Sequence, residues 1–205
     1  MRGHIITSTA IILAALSFSC GDKTVINGDT PVAPDYTSPA KVLKTVQLSF
    51  NQGNIDALKK SLSPKFVFYF DRRDVGASPP GKPGYKIPAS WSYDEFWQAA
   101  YSMFNNAYSI SLFVPVGPLR EPGENETTYK GENVTISLLV MVNEVNGFKI
   151  DKGFCDFAFE AYYNERKEKR WRLTGWWDFT SEGYDERAAV APGSLGSVLA
   201  LYYPE

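Results

Sequence analysis

The sequence contains almost no histidine: His4 is the single one in 205 residues. It lies in an N-terminal segment that we expect to be removed on export. A mature chain without histidine cannot use a Ser-His-Asp or Cys-His mechanism, and it lacks the commonest transition-metal ligand. The sequence also has no glycine-rich phosphate loop and no cluster of metal ligands. We therefore expect neither a metal nor a cofactor.

A strong excess of charge of one sign is missing as well. The chain carries 21 basic and 23 acidic residues, a net charge of −2, and it has no long basic stretch. Proteins that bind nucleic acids leave a basic patch or stripe in their sequence. We expect no nucleic-acid partner.

Residues 1–19 have the features of an export signal. Arg2 gives a short basic start, residues 5–18 are mostly apolar, and Ser19 leads into Cys20. The apolar run is too short to span a membrane, and such segments are removed from the mature chain. The stretch resembles a bacterial lipoprotein signal, although Ser17 stands where such signals usually carry a large aliphatic residue. We expect lipidation at Cys20 and a membrane-anchored location in the bacterial cell envelope, outside the cytoplasm. The alternative is an ordinary secretory signal cut near Cys20.

Cysteine is also scarce, with Cys20 and Cys155 as the two residues of this type. If Cys20 is acylated, Cys155 has no partner and no disulfide stabilises the domain. The apolar residues around Cys155 favour a buried, inert thiol over a nucleophile.

The remaining chain divides into a flexible tether over residues 20–37, one domain over 38–180 and a C-terminal extension over 181–205. Hydrophobic residues make up 44% of the sequence, which is enough for an ordinary core. Ser38 and a following proline predict the start of a helix that ends at Gly53. A second short helix, a strand over 66–71 and a loop over 72–90 come next, and a capping box at Ser92 predicts the start of a third helix.

Four later segments alternate apolar and other residues with a period of two, which predicts strands with one buried and one mixed face. The first three begin near Ile110, Val134 and Phe157. In the last segment we expect one buried-face set and one mixed-face set. The former comprises Trp171, Leu173, Gly175, Trp177 and Phe179; the latter comprises Arg172, Thr174, Trp176 and Asp178.

This order of elements, with the segments 50–58, 66–71 and 171–173, resembles the nuclear transport factor 2-like superfamily, which includes ketosteroid isomerase. The resemblance covers residues 38–180. It implies an α+β fold in which N-terminal helices pack on a strongly curved antiparallel sheet and form a cone with an internal pocket. The superfamily hosts enzymes, carriers and assembly modules, so it implies no single function.

The resemblance to isomerase-like members matches Asp71 to their general base at the end of the first strand. Aromatic neighbours such as Phe70 would desolvate this carboxylate and raise its pKa. The alternative is that Asp71 begins the loop, in solvent, beside Arg72. Isomerase-like members also use a tyrosine on the first helix, and this helix has none because Tyr36 precedes its start.

Aromatic side chains offer a candidate pocket for a flat, apolar small molecule on the concave side of the sheet. The candidate lining residues are Tyr69, Trp91, Phe96, Tyr101, Trp171 and Trp177, with Trp97 and Phe179 beside them. The alternative is that these residues pack in the core.

The mixed face of the sheet is a candidate homodimer surface, because lone aromatic residues there, among them Phe113, Tyr162 and Trp176, are typical of subunit interfaces. The lack of histidine and the apolar concave face favour a non-catalytic binding or accessory module, held at the membrane by its lipid. The alternatives are an isomerase- or dehydratase-like enzyme using Asp71 as base, and a structural role in an envelope assembly.

Overall fold

A computed structural model describes residues 33–79, 81–117, 119–179, 190–192 and 194–204. The expected signal over residues 1–19 and the lipidation site Cys20 lie outside the described residues. The described chain contains four helices and seven strands. Their bounds are α1 Pro39–Gln52, α2 Ile55–Ser61, β1 Leu62–Tyr69, β2 Ser90–Ser92, α3 Tyr93–Asn106, β3 Ser109–Phe113, β4 Thr128–Met141, β5 Gly147–Tyr163, β6 Lys169–Asp178, β7 Val190–Pro192 and α4 Leu195–Tyr202.

The strands form one open sheet in the order β2-β1-β6-β5-β4-β3, and β7 pairs with the beginning of β5. The predicted α+β class, with helices packed on a sheet, is confirmed. The sheet is mixed rather than antiparallel throughout, because β1 runs parallel to β6 and β7 runs parallel to β5. Residue alternation reports which side chains are buried and carries no information on strand direction. No tight turn joins β1 to β6, because most of the domain's sequence lies between them. The chain can therefore place the two strands in either relative direction.

The helix starts follow the capping signals in the sequence. Ser38 precedes α1, and its Oγ accepts a hydrogen bond from the backbone N–H of Lys41. Gly53 ends α1 with φ of 63°, a left-handed conformation that favours glycine. At the start of α3, Oε2 of Glu95 accepts a hydrogen bond of 2.7 Å from the backbone N–H of Ser92. The predicted starts of both helices are confirmed.

Two amide side chains of α1 attach this helix to the edge strand β3. Oδ1 of Asn51 accepts from the backbone N–H of Leu112 at 2.6 Å, and Nδ2 of the same side chain donates to the Leu112 carbonyl at 3.1 Å. Oε1 of Gln47 accepts from the N–H of Val114 at 3.1 Å. These bonds occupy backbone groups that an edge strand would otherwise leave open to another chain.

The predicted alternation holds along β4, and along β5 as far as Phe159. Val134, Ile136, Leu138 and Val140 are buried on β4, and Phe157 and Phe159 are buried on β5. These side chains face the helices and form the floor of the hydrophobic core.

The predicted faces of β6 are wrong beyond Leu173. Ala158 of β5 pairs with Gly175 and the next residue, Phe159, pairs with Leu173, so Thr174 is an extra residue on β6. Such a bulge moves every later side chain to the opposite face of the sheet. Trp176 is therefore fully buried, whereas Trp177 is half-buried on the outer face.

The same bulge reverses the other predicted faces at the end of β6. Asp178, expected on the mixed face, is 1% exposed, and Phe179, expected on the buried face, is 47% exposed. Oδ2 of Asp178 accepts a hydrogen bond of 2.7 Å from the backbone N–H of Gly196 at the start of α4. A buried carboxylate is thus satisfied in part by the C-terminal helix.

Helix α4 belongs to the same core as the rest of the domain. Leu195, Val198, Leu199 and Ala200 are buried, and the helix contacts α3. A Cβ on Gly196 would lie 2.5 Å from Cδ1 of Phe70, so the helix approaches the sheet as closely as it does only with glycine here.

Candidate functional site

The space between the helices and the sheet is occupied by aromatic side chains. The indole of Trp176 lies 5.0 Å from Phe157, 5.8 Å from Phe68 and 5.9 Å from Phe96, measured between ring centroids. Phe50 of α1 completes this set at 6.4 Å. Trp176 thus fills, from the sheet side, the space in which an aromatic-lined concave pocket was predicted.

The six predicted pocket residues lie in three separate places. Trp91, Phe96 and Trp171 are buried in the core, where Trp91 packs against Phe70 at 4.6 Å between ring centroids. Tyr69 and Trp177 stack on each other on the outer face of the sheet, at 4.7 Å and an interplanar angle of 3°. Tyr101 is 48% exposed on α3. The structure does not bring these six side chains together into one pocket.

The carboxylate of Asp71 is nearly buried and is bound by its neighbour Arg73. Oδ2 accepts from Nη2 of Arg73 at 2.6 Å, and Oδ1 accepts from Nε at 3.0 Å and from the backbone N–H at 2.9 Å. Burial acts to raise the pKa of Asp71, but the hydrogen bonds and the charge of Arg73 outweigh it, and the pKa lies below its ordinary value. The raised pKa that the sequence suggested is not what this geometry produces.

Cys155 is fully buried on β5 and forms no disulfide. Burial, followed by the negative charge of Asp178, raises the pKa of its thiol well above the ordinary value. A protonated and inaccessible thiol is a poor nucleophile, which fits the inert role expected from its apolar neighbours.

An open groove of about 790 Å³ lies where α2, the beginning of β1 and the start of α3 meet the end of β5 and the beginning of β6. Four apolar residues of β1 line it: Pro64 and Val67 are accessible, and Leu62 and Phe66 are buried beneath them. Three tyrosines from different parts of the chain also line it: Tyr36, Tyr93 and Tyr162.

Positive charge lines the same groove. Lys59 and Lys60 come from the last turn of α2, Lys65 from β1 and Arg172 from β6, whereas Asp94 is the one acidic residue among the lining side chains. Nε of Arg172 pairs with Oε1 of Glu160 at 2.8 Å, so this cation is locally neutralised. Within the described residues no ion pair joins any of the three lysines to a carboxylate.

Two of the groove tyrosines stay protonated at neutral pH. Burial, followed by the nearby Tyr162, raises the pKa of Tyr36 to about 12. Burial and the adjacent Asp94 raise the pKa of Tyr93 as well. The hydroxyl of Tyr36 donates to the Ala57 carbonyl at 3.3 Å. This bond uses the one hydroxyl proton of Tyr36, so of these two phenols Tyr93 is the one that can donate to a ligand.

No motif in the sequence predicts this groove. Its one visible trace is the segment Lys59-Lys60-Ser61-Leu62-Ser63-Pro64-Lys65, in which three lysines flank the junction of a helix and a strand. Helices commonly carry lysines in their last turn, where they complement the helix dipole. That ordinary role accounts for Lys59 and Lys60 but not for Lys65.

Among the described residues, no group of three or more histidine, cysteine, aspartate or glutamate side chains could hold a metal ion. None of the helices in the described ranges is long and apolar enough to cross a membrane.

Comparisons with known proteins find likeness in fold alone. No protein family matches the chain, and no curated protein is significantly similar to it in sequence. A conserved protein from Planctomyces limnophilus is similar in structure, with 13% identity and a TM-score of 0.46 over 66% of this chain and 88% of its own. A protein of unknown function from Mycobacterium tuberculosis has 9% identity and a TM-score of 0.44, over 78% of this chain and 80% of its own. A domain of unknown function with a cystatin-like fold from Nostoc punctiforme has 9% identity and a TM-score of 0.40, over 68% and 73%. These likenesses assign no activity to the chain.

The ion pair of Asp71 should make part of the domain's stability dependent on pH. A folded-state pKa below the unfolded value contributes stability that is complete above the unfolded value and is lost as the pH falls through the folded one. We expect Arg73→Gln to raise the pKa of Asp71 and to lower the free energy of unfolding near pH 7 by about 1–2 kcal/mol. The loss should shrink below about pH 4. Urea unfolding between pH 3 and 7 measures it.

Arg72→Gln is the matched control, since Arg72 is an exposed neighbour on the same loop. We expect it to leave the unfolding free energy unchanged within about 0.5 kcal/mol. An Arg73→Gln loss of equal size at pH 3 and pH 7 would show that the charge of Asp71 is not its cause.

Proposed function

We propose that this protein is a non-catalytic binding or accessory module, lipid-anchored through Cys20 on the extracytoplasmic side of a bacterial membrane. The observation that carries the proposal is the filled interior: Trp176 and its aromatic neighbours occupy the space in which a cone-shaped relative would admit a substrate. The open groove at the surface offers a ligand the space that this core does not. The proposal includes membership of the nuclear transport factor 2-like superfamily, which the order of helices and strands supports.

The competing hypothesis is an isomerase- or dehydratase-like enzyme with Asp71 as general base. A general base must have a lone pair free to accept a proton and a pKa near the working pH. Both oxygens of Asp71 accept hydrogen bonds from Arg73, and the pKa is lowered. Arg73 stabilises the charged carboxylate and so makes Asp71 a weaker base, and the geometry therefore favours binding.

Ligand binding should be visible at the groove and absent from the interior. We expect a ¹⁵N-labelled chain carrying Cys20→Ala to show shifts of the backbone amides of Phe66, Tyr93 and Arg172 when a ligand is titrated. The indole Nε1–H of Trp176 should not move, because the ring is fully buried in the core and does not line the groove. Two-dimensional NMR with carboxylates, phosphates, sugars and neutral apolar molecules tests this.

A ligand that shifts the Trp176 indole before the groove amides would show that an interior pocket opens after all. If no class of ligand moves any of these amides, the ligand-binding role fails and an interaction with another protein is left.

The lipid anchor has the simplest test. Each methylene of an acyl chain buried in a membrane contributes roughly 0.8 kcal/mol, and two or three chains hold a protein stably where one does not. We expect Cys20→Ala to abolish membrane association without unfolding the domain, because Cys20 lies outside the segment 38–180. Membrane fractionation of the wild type and the variant, with circular dichroism of the soluble form, checks both points. A variant that still sediments with membranes would contradict lipidation as the anchor.

We also propose that the outer face of the sheet forms a homodimer. The prediction that Trp176 lies on this face is wrong, because its side chain is buried. Phe113 and Phe154, however, are 56% and 44% exposed. They pair with neighbouring outward residues of β4 and so share one face. Exposed aromatic residues on one face are typical of protein interfaces.

The double variant Phe113→Ser, Phe154→Ser should shift the chain to monomer, as measured by sedimentation velocity over a range of concentrations. Val145→Ser is the matched control, because Val145 is an exposed apolar residue in the turn between β4 and β5. A wild type that is monomeric at every concentration would contradict a dimer.

A further inference from the structure

The groove between α2, β1 and α3 concentrates positive charge on a chain that is acidic overall. Lys60 and Lys65 are exposed and project from two different elements, so both helix and strand present an ammonium group to the same space. Lys59 also lines the groove, with its Nζ 5.3 Å from the centroid of the Trp97 ring. The charge of Glu160, which pairs with Arg172, also acts on Lys65, but among the described residues none of the three lysines forms an ion pair. Their like charges repel one another, and an anion between them relieves that repulsion.

Apolar surface lies directly beside these charges. Pro64 is exposed and Val67 is half-buried on β1, and they offer apolar surface above the buried Leu62 and Phe66. Tyr93 adds a half-buried ring with a protonated hydroxyl. An inorganic ion would use the charges and leave this surface wet, whereas a ligand with an apolar body covers both.

We propose that the groove binds an amphipathic organic anion, in which a carboxylate or phosphate head group contacts the lysines and a ring or short alkyl body lies on the apolar surface of β1. This inference rests on the proposed binding function and names the ligand class of the same site. The groove volume of about 790 Å³ suits such a molecule. Because the groove is open, part of a bound ligand stays in contact with water, and salt should weaken its binding.

The test uses the full chain carrying Cys20→Ala, with octanoate and octyl phosphate as probes. Isothermal titration calorimetry measures affinity, and NMR shifts of the groove amides locate the site. We expect both probes to bind at the groove, and raising the salt from 0.05 to 0.5 M to weaken them several-fold; these salt values are about those over which exposed charges become screened. The double variant Lys60→Glu, Lys65→Glu should weaken both probes at least about tenfold.

Lys152→Glu is the matched control, since Lys152 is an exposed lysine of β5 that does not line the groove. It should bind both probes as the wild type does. Circular dichroism and thermal unfolding without ligand establish that the charge-reversed chains are folded. Tyr93→Phe, which keeps the ring and removes the hydroxyl, should weaken binding several-fold and supports the site if the double variant folds poorly.

Three further probes separate the sources of affinity. Octanol binding as tightly as octanoate would overturn the inference, because the head group would not be recognised. Inorganic phosphate binding as tightly as octyl phosphate would overturn it too, because the body would not be recognised. Association with vesicles of anionic phospholipid without binding of either soluble probe would assign the lysines to the membrane surface and overturn it likewise. If groove amides move with another ligand class while neither probe binds, this inference fails and the proposed binding function stands.

Discussion

The burial of one indole ring organises much of this domain. Trp176 of β6 packs against aromatic rings from α1, β1, α3 and β5, at centroid distances between 5.0 and 6.4 Å. Aromatic pairs at such distances contribute about 0.5–1.5 kcal/mol each beyond the area they bury. The indole faces inward because Thr174, two residues earlier in β6, forms a bulge. If Thr174 followed the regular alternation of the strand instead of forming a bulge, Trp176 would point outward and could not fill the core.

The parts of the fold that local signals specify could be predicted from the sequence. The starts of α1 and α3 follow from Ser38 and Ser92, and the buried sides of β4 and β5 follow from strict alternation. The bulge in β6 interrupts the alternation just before Trp176, the residue that fills the core. Gly175 is the sequence signal for it, since a glycine within a strand often marks a bulge or a close approach. A Cβ there would lie 2.5 Å from Cη2 of Trp177, whose ring leans across this position.

The candidate site was harder to predict, for a different physical reason. An aromatic residue in a strand or helix shows that much apolar area must be covered, but it does not show what covers it. Trp91 and Tyr69 were assigned to one pocket, yet the first lies in the core and the second stacks on the outer face. The groove joins side chains as distant in sequence as Tyr36 and Arg172. Single lysines and tyrosines at those positions are ordinary surface residues, so only the folded chain reveals the groove.

The groove lies next to the residues at which the domain begins, and these are the residues that follow the proposed anchor in the sequence. The carbonyl of Tyr36 accepts a hydrogen bond of 2.7 Å from the backbone N–H of Trp171, and Asp35 donates its backbone N–H to Thr45 at 3.0 Å. Residues 35 and 36 are thus fixed to the domain, and the Tyr36 side chain lines the groove. From Cys20 to Asp35 the chain can span at most roughly 50 Å. A lipid on Cys20 would therefore hold the groove within that distance of the bilayer. An amphipathic anion partitions into a bilayer through its body while its head group stays at the surface. The proposed anchor and the proposed ligand thus favour the same location, because the groove includes Tyr36, close to the beginning of the domain.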